Sequence, residues 1–365
     1  ELSINKESLL SALHTVSGAV DKKNALAILS NFLLQVKDNM LYLTATDLEI
    51  EISVQIACEC NNTSGSTTVL AKKLIDIIRS LDENTTPRLI CDENTLTIKQ
   101  GRSSFKLATL PAENYPKAQD ECNELELSIS RTDFFNVLQS THFALSQQDV
   151  RVFLNGLLIE FGPNLITAVG TDGHRMAISR QVCTNQVSKK LLLPKKAVQE
   201  CLRLLNSSTD EKVLISAGPL HFRLVSSQFV FTSKLIEARF PPYSKAIPKL
   251  QDKHIIIDCA VLKRSLSRIV ILAHEKFKAV SLHLQPNQLT LIANNNEQEE
   301  AQEILAAETE GETFTIGINA GYVLDVLNHL SDGPIKLSMS NTESSILIES
   351  LNNDQYLYII MPMKL

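Results

Sequence analysis

LITAVGTDGHRMA, residues 165–177, decides how this chain is read. A short apolar strand runs into a polar turn, Thr171-Asp172-Gly173-His174-Arg175. Alternating strand faces give way there to the residue types that make turns. The stretch has two echoes, LYLTATDLEIE at 41–51 and LTLIANNNEQEEA at 289–301. Asp172 follows Asp47 by 125 positions, and Asn295 follows Asp172 by 123. One supersecondary unit occurs three times.

The surroundings repeat as well. An amphipathic stretch precedes each echo, at 6–16, 131–145 and 261–273. In the third, Leu262, Leu266, Ile269 and Leu272 or Ala273 recur at helical spacing and give one apolar face. Strand pairs follow, broken by Asp, Asn, Gly or Pro as hairpins are: NFLLQVKDNMLYLTATD, NGLLIEFGPNLITAVGTD and VSLHLQPNQLTLIANN. A second set of helical stretches lies at 71–81, 194–205 and 319–330, each followed by more strands. Pro194 suits a first helical turn, where its missing N–H would be unpaired anyway. The pattern predicts an α+β chain of three similar domains, 1–124, 125–250 and 251–365. Each domain holds two copies of a helix followed by antiparallel strands. A period near 124 is too long for a solenoid, and the short connectors favour a closed arc over independent beads.

Composition agrees with sizeable cores. Of 365 residues, 44% are apolar and 21% charged, and a chain of this length exceeds one hydrophobic core. It has no run of about eighteen apolar residues, and its first residues, ELSINKESLLSAL, lack the order of a secretory signal. A soluble intracellular protein is expected. The seven cysteines are scattered, and Cys58-x-Cys60 lacks the second half of a zinc site.

The net charge of −6 argues against a simple binder of nucleic acid, but its distribution answers that objection. The helical windows hold eleven Lys or Arg and five Asp or Glu, a balance of +6 that leaves −12 for the rest of the chain. A basic set of elements on an acidic protein suits a phosphate backbone, although solvated helix faces carry the same residues. Helices are about 10 Å wide, so six in a circle leave a hole of roughly 9 Å and twelve leave roughly 28 Å. Only the larger hole admits a duplex, which takes two chains.

Thr171-Asp172-Gly173-His174-Arg175, Arg239-Phe240-Pro241, the acidic run at 297–301 and the final Met361-Pro362-Met363-Lys364-Leu365 occur together in this order. With LSNFLLQV and LTATDLE near the start, they make the whole chain resemble the bacterial sliding clamps, the β subunits of DNA polymerase III. The resemblance implies a DNA-clamp fold closing as a head-to-tail homodimer of six similar domains. Helices line the hole and sheets form the wall. The implied function is non-catalytic and cofactor-free: the ring encircles double-stranded DNA and tethers the replicative polymerase for processivity. It also implies a cytoplasmic, nucleoid-associated location at replication forks and no membrane partner.

Family roles fall on matching positions. The resemblance implies a groove for short linear motifs of the polymerase catalytic subunit, clamp loader, translesion polymerases and repair proteins. Its lining is Leu154, Thr171, Gly173, His174, Arg175, Met176, Pro241, Ala246, Ser345, Ile359, Met361, Pro362 and Met363. Flexible thioethers and a proline wall suit varied apolar anchors. Met176, Lys245 and Ala246 differ from the residues usual there. DNA contacts fall on Lys23, Lys72, Gln148, Val152 and Phe153, with Val152 lacking the usual aromatic character; such contacts go to phosphates and do not read bases. The ring seam falls on Phe105 and Leu107 against Ile271 and Leu272, with Lys99, Arg102 and Lys106 facing Glu297, Glu299, Glu300 and Glu303. Opposite charge at two ends of one chain suits a heterologous contact.

Two other classes compete. Asp172, His174 and Arg175 with Asp47 and His14 suggest a metal-dependent phosphoesterase. A metal site needs three or more converging ligands, however, and Asp47 and Asp172 occupy equivalent places in different copies. No Gly-rich phosphate loop or nucleophile elbow is present. A peptide-binding scaffold without DNA would keep the groove but leave the basic helices unexplained.

Overall fold

The protein is described by a computed structural model covering residues 1–21, 26–60, 64–117, 122–184, 187–249 and 251–364. The first copy runs β1 (Leu2–Ser3), α1 (Lys6–Val16), β2 (Asn31–Lys37), β3 (Met40–Thr46), β4 (Ile50–Ala57), β5 (Gly65–Leu70), α2 (Ala71–Ser80), β6 (Arg88–Asp92), β7 (Thr95–Gln100) and β8 (Ser103–Leu110). The second runs β9 (Leu125–Ser130), α3 (Arg131–Gln139), β10 (Gly156–Gly162), β11 (Leu165–Thr171), β12 (Arg175–Val182), β13 (Lys189–Pro194), α4 (Lys195–Ser207), β14 (Lys212–Ala217), β15 (His221–Val225) and β16 (Val230–Lys234). The third runs β17 (Lys253–Asp258), α5 (Cys259–Ile269), β18 (Ala279–Gln285), β19 (Gln288–Asn294), β20 (Glu300–Ala306), β21 (Glu308–Glu310), β22 (Phe314–Asn319), α6 (Ala320–Leu327), β23 (Pro334–Met339), β24 (Ile346–Ser350) and β25 (Tyr356–Ile360). Each half-copy is therefore strand, helix, then three strands. The leading strand is an addition to the expected pattern, and β21 is an insertion peculiar to the third copy.

Local chemistry explains the boundaries. Asn5, Asp258 and Asn319 cap α1, α5 and α6 by accepting backbone N–H bonds of the first turns, which satisfies donors a helix leaves open. Leu262, Leu266 and Ile269 of α5 are buried as expected. Asp38 and Asn39, both with positive φ, join β2 to β3, the backbone of a two-residue hairpin. Asn164 and Asn287, each after a proline, take positive φ in the corresponding turns. Helix α3 stops at Gln139, short of 145, and a separate single turn forms at His142–Ala144.

By packing, the chain forms two compact units. One contains 1–132 and 199–235; the other contains 133–198 and 236–365. In the first, one antiparallel sheet runs β1-β6-β7-β8-β5-β2-β3-β4-β16-β15-β14-β9. In the second, β13-β10-β11-β12-β25-β24-β23-β17-β21 form one sheet and β20-β19-β18-β22 another. The second copy is thus shared, because its strands join neighbouring copies at two seams. At one, β4 pairs with β16, placing Ile52 opposite Phe231. At the other, β12 pairs with β25, placing Ala177 opposite Tyr358.

Candidate functional site

The repeated turn is a scaffold. In the first copy Thr46 Oγ1 donates to the Ile50 carbonyl at 2.8 Å and accepts from Leu48 N at 3.1 Å, while Asp47 Oδ1 accepts from Glu49 N and Ile50 N at 3.0 and 2.9 Å. In the second copy Thr171 Oγ1 donates to the Arg175 carbonyl at 2.6 Å and accepts from Gly173 N at 3.1 Å, while Asp172 Oδ1 accepts from His174 N and Arg175 N at 2.9 and 3.0 Å. Asn295 Oδ1 accepts from Glu297 N and Glu299 N in the third. Asp47 and Asp172 are therefore turn-makers. Leu48, Gly173 and Gln298 all have positive φ, so φ alone does not demand glycine at 173. A Cβ there would lie 3.2 Å from an Arg151 guanidinium nitrogen, the far end of a half-exposed side chain that can give way.

What distinguishes the second turn is Arg175, where the first copy buries Ile50 at 2% exposure. Arg175 Nε donates to Asp172 Oδ2 at 3.0 Å, one terminal nitrogen bonds Asp325, and the other donates to the Phe143 carbonyl at 2.8 Å. The Tyr322 ring lies 4.4 Å from the guanidinium carbon, within cation–π range. With its side chain only 12% exposed, Arg175 is consumed in bracing the turn. Its place in the groove lining is that of a buttress.

Strand alternation sorts the sheet around this turn into two faces. Ala177, Ile348, Tyr358 and Ile360 belong to the core that includes Leu262 and Leu266 of α5 and Val323 of α6. On the opposite face Leu192, Leu158, Val169 and Ile178 form a cross-strand row and a second buried cluster. Phe153, Ile236, Phe240, Tyr243 and Ile247 pack over it with Met176 and Leu357. The segment after β16 is held there by Ile236 N donating to the Leu192 carbonyl at 2.9 Å and Tyr243 OH donating to Glu160 Oε2 at 2.8 Å. Burial, then the Glu160 carboxylate, push the Tyr243 phenol up to about 12. The next row is left less covered: Thr171 opposite Met176, Met176 opposite Ile359, and Ile359 opposite Leu347.

The chain end completes this side. Met361 N donates to the His174 carbonyl at 2.9 Å and Met363 N to the Gly317 carbonyl at 2.8 Å. Met361 stays 48% exposed. The same contact recurs in each copy, since the chain leaving β8, β16 or β25 meets the preceding copy-edge strand at Thr68, Leu192 or Gly317. Residues 361–364 thus do in the third copy what the connectors do in the other two.

The expected groove residues converge in part. Thr171, Met176 and Ile359 share this row, Met176 half-buried and the other two buried, and His174 and Met361 are bonded beside it. Pro241 and Ala246 are exposed on the segment that covers the cluster, Leu154 is buried, and Pro362, Met363 and Ser345 are half-buried. Sequence reasoning did not find Ile236, Phe240, Tyr243, Ile247, Leu347 and Leu357; the Phe240-Pro241-Pro242-Tyr243 run is a signal for two of them, Phe240 and Tyr243. Phe153, expected against DNA, packs in the cluster with its ring 5.9 Å from that of Phe240. Val152 is 54% exposed, Gln148 is exposed with φ of 60°, and Lys72 is exposed on α2. Lys23 lies outside the described residues.

The helix charge count includes groups with internal duties. Lys6 is buried and its ammonium bonds the Leu81 carbonyl. Arg131 bonds the Asp210 and Leu205 carbonyls, and Lys195 bonds the Leu145 carbonyl at 3.0 Å. Arg268 forms a two-pronged pair with Glu303 at 2.6 and 2.7 Å. The carbonyls and carboxylates at chain turns take up cations that the sequence left as surface charge. Of the expected seam, Ile271 is 75% exposed, Leu272 and Phe105 are half-buried, and Leu107 is 9% exposed. Lys99, Arg102 and Lys106 are exposed on or beside β7 and β8, and Glu297, Glu299 and Glu300 on or beside β20, whereas Glu303, expected with them, is half-buried and taken up by Arg268. Asn295 also donates to Glu299 at 2.7 Å. Among the described residues, no group of three His, Cys, Asp or Glu is placed to hold a metal ion. No described helix is long and apolar enough to cross a membrane.

Comparison with known proteins covers the whole chain. Family models match as the DNA polymerase III beta subunit N-terminal domain over 1–119, central domain over 128–242 and C-terminal domain over 244–364. The beta sliding clamp of Vibrio cholerae is 37% identical, and that of Escherichia coli K12 38%, each over all of both chains. That of Proteus mirabilis is 39% identical over 99% of both chains. The crystal structure of the Pseudomonas aeruginosa DNA polymerase III subunit beta superposes with a TM-score of 0.96 at 37% identity and full coverage of both chains. The same organism's clamp bound to griselimycin gives 0.95 at 37% identity, covering 100% of this chain and 99% of that one.

Proposed function

The chain belongs to the bacterial sliding-clamp family, the beta subunits of DNA polymerase III, and from that premise we propose how its geometry does the work. It is a non-catalytic DNA sliding clamp that gives its polymerase processivity. It acts as a homodimer on duplex DNA. The finer assembly rests on one observation, the edges that β20 and β8 leave without the partner their counterparts have. Ser53, Ile178 and Gln302 hold equivalent places on β4, β12 and β20, opposite Thr44, Val169 and Ile292. Phe105, Phe231 and Tyr358 hold equivalent places, each opposite a buried hairpin partner, Ile98, Leu224 and Ile348. Strand β16 covers β4 and β25 covers β12, whereas β20 ends its sheet and β8 is bonded beyond β7 only at Thr109 and Leu110. An unpaired edge is a template for another chain. β20 of one copy therefore pairs with β8 of a second, with Ala301 opposite Phe105 and Glu300 opposite Lys106. The repetition at both ends closes a ring of six similar domains, 1–124, 125–250 and 251–365 from each chain.

Around that edge contact, Ile271 and Leu272 meet Phe105 and Leu107, ringed by Lys99, Arg102 and Lys106 against Glu297, Glu299 and Glu300. Each rim pair contributes under about 1 kcal/mol, so the apolar centre holds the seam. Replacing Ile271 and Leu272 with Asp should give folded monomers by light scattering; a retained dimer would rule out this seam.

Lys72, exposed on α2, with Gln148 and Val152, touches phosphates loosely, as sliding requires; Lys23, expected beside them, lies outside the described residues. The row Thr171, Met176 and Ile359, walled by 240–247 and Met361–Met363, receives apolar anchors of linear motifs. The polymerase catalytic subunit, clamp loader, translesion polymerases and repair proteins present these motifs. The site of action is the cytoplasm, at replication forks.

A further inference from the structure

The thiols of Cys58 and Cys60 lie where the clamp's activity does not use them. The segment after β4 is held extended by two backbone bonds, Ser3 N to the Glu59 carbonyl at 2.8 Å and Glu59 N to the Ser3 carbonyl at 2.9 Å. Cys58 N donates to the Asn39 carbonyl at 2.9 Å. Side chains two apart in an extended strand share a face. Accordingly Glu59 is exposed while Cys58 and Cys60 are 8% and 7% exposed. Cys60 Sγ donates to the Asn39 carboxamide oxygen at 3.2 Å. Burial, then the neighbouring Cys60, push the Cys58 thiol up to about 11.

Two alternatives fit this pair poorly. Cα atoms two apart in an extended strand are about 6.6–6.8 Å from each other, at the far end of the disulfide range of about 4.4–6.8 Å. Zinc takes four ligands, and no third Cys, His or carboxylate converges among the described residues. Two thiolates sharing one ion, with metal–sulfur bonds of about 2.3 Å, are separated by up to about 4.6 Å and tolerate the extended backbone. Soft thiolates select Cu(I) over harder ions.

We propose that Cys58 and Cys60 form a two-coordinate site for a soft monovalent metal ion of the Cu(I) class, oriented by Asn39. Binding replaces two S–H bonds with two S–metal bonds and releases two protons, with no change of oxidation state. The Asn39 carboxamide, which accepts the Cys60 thiol proton, turns its NH2 toward the thiolate once that proton has gone. Shielding from water keeps the ion from exchange, and Asn39 fixes the sulfur as an outer partner does in other metal sites.

The test is an anaerobic Cu(I) titration of the full chain against a coloured Cu(I) chelator. The wild-type protein and a C91S/C122S/C183S variant, which lacks the more accessible thiols, should each retain one ion per chain. C58S and C60S should hold it at least about 100-fold more weakly, with X-ray absorption of the wild-type complex showing two sulfur neighbours. Unfolding curves identify any variant that loses the ion by losing its fold, and C60S, at a chain segment away from the helices, is the decisive one. A folded C60S protein that binds as tightly as wild type, or loss of the ion from C91S/C122S/C183S, overturns the proposal.

Discussion

The first and second copies build the same sheet face and use it differently. In the first, the cross-strand row reads Thr68, Leu33, Thr44, Ser53; in the second, Leu192, Leu158, Val169, Ile178. Over the first lies Tyr115, 3% exposed, whose hydroxyl accepts from Thr46 N at 3.1 Å and donates to the Asn31 carbonyl at 3.2 Å. Over the second lie Phe240 and Tyr243, both half-buried. A polar row can be sealed by a single hydrogen-bonding side chain. An aliphatic row attracts aromatic cover and leaves an apolar margin, which is what an incoming anchor needs. The third copy's row, Gly317, Ser281, Ile292, Gln302, is mostly polar. One row in three is aliphatic, which is why the proposed groove falls in the second copy.

Charge placed in the two rows should separate them most. Ile178→Asp buries a carboxylate with no partner and should cost more than about 3 kcal/mol. Ser53→Asp, at the matching place in a half-exposed polar row, should cost under about 1 kcal/mol. Equal shifts in urea unfolding would erase the distinction. Next in size, Tyr115→Phe leaves the Thr46 N–H without its partner and should cost about 1–3 kcal/mol, while a labelled motif peptide binds as before. Weakened peptide binding would mean that the first copy also contributes to recognition. The smallest effect is in titration. The free phenol titrates near about 10. Burial raises both tyrosines, Tyr243 to about 12 and Tyr115 further. Because the folded state keeps each proton, the contribution of each is intact below about pH 10. It is lost as pH rises, first at Tyr243 and later at Tyr115. Phenolate absorbance of Tyr→Phe variants should show that order, and the reverse order would contradict the packing described for the two copies.

Much of this was legible in the chain. Thr46-Asp47, Thr171-Asp172 and Asn295 announced the repeat, because a short side chain that caps its own turn is a local necessity. Hairpins at Asp38-Asn39 and Pro163-Asn164 were local too. What escaped was non-local. Arg175 meets Asp325 across 150 positions, and Lys6 finds its carbonyl at Leu81, so neither reads as buried from its neighbours. Of the leading strands, Leu2–Ser3 escaped because two residues carry no period, whereas Leu125–Ser130 alternates buried and exposed side chains and carries a legible one. The sharing of the second copy between two packed units follows from seam pairing, which composition does not encode. Met176 and Ile359 reached the groove list by resemblance, and their cross-strand pairing gives the physical reason they belong together.

The most direct test of a sliding ring is retention on circular against linearised duplex DNA after loading, with the dimer confirmed by mass in solution. A dimer that stays on circles and runs off cut ends is the expected result. Equal release from both forms would contradict topological encirclement, and with it the β8–β20 closure on which the proposed assembly rests.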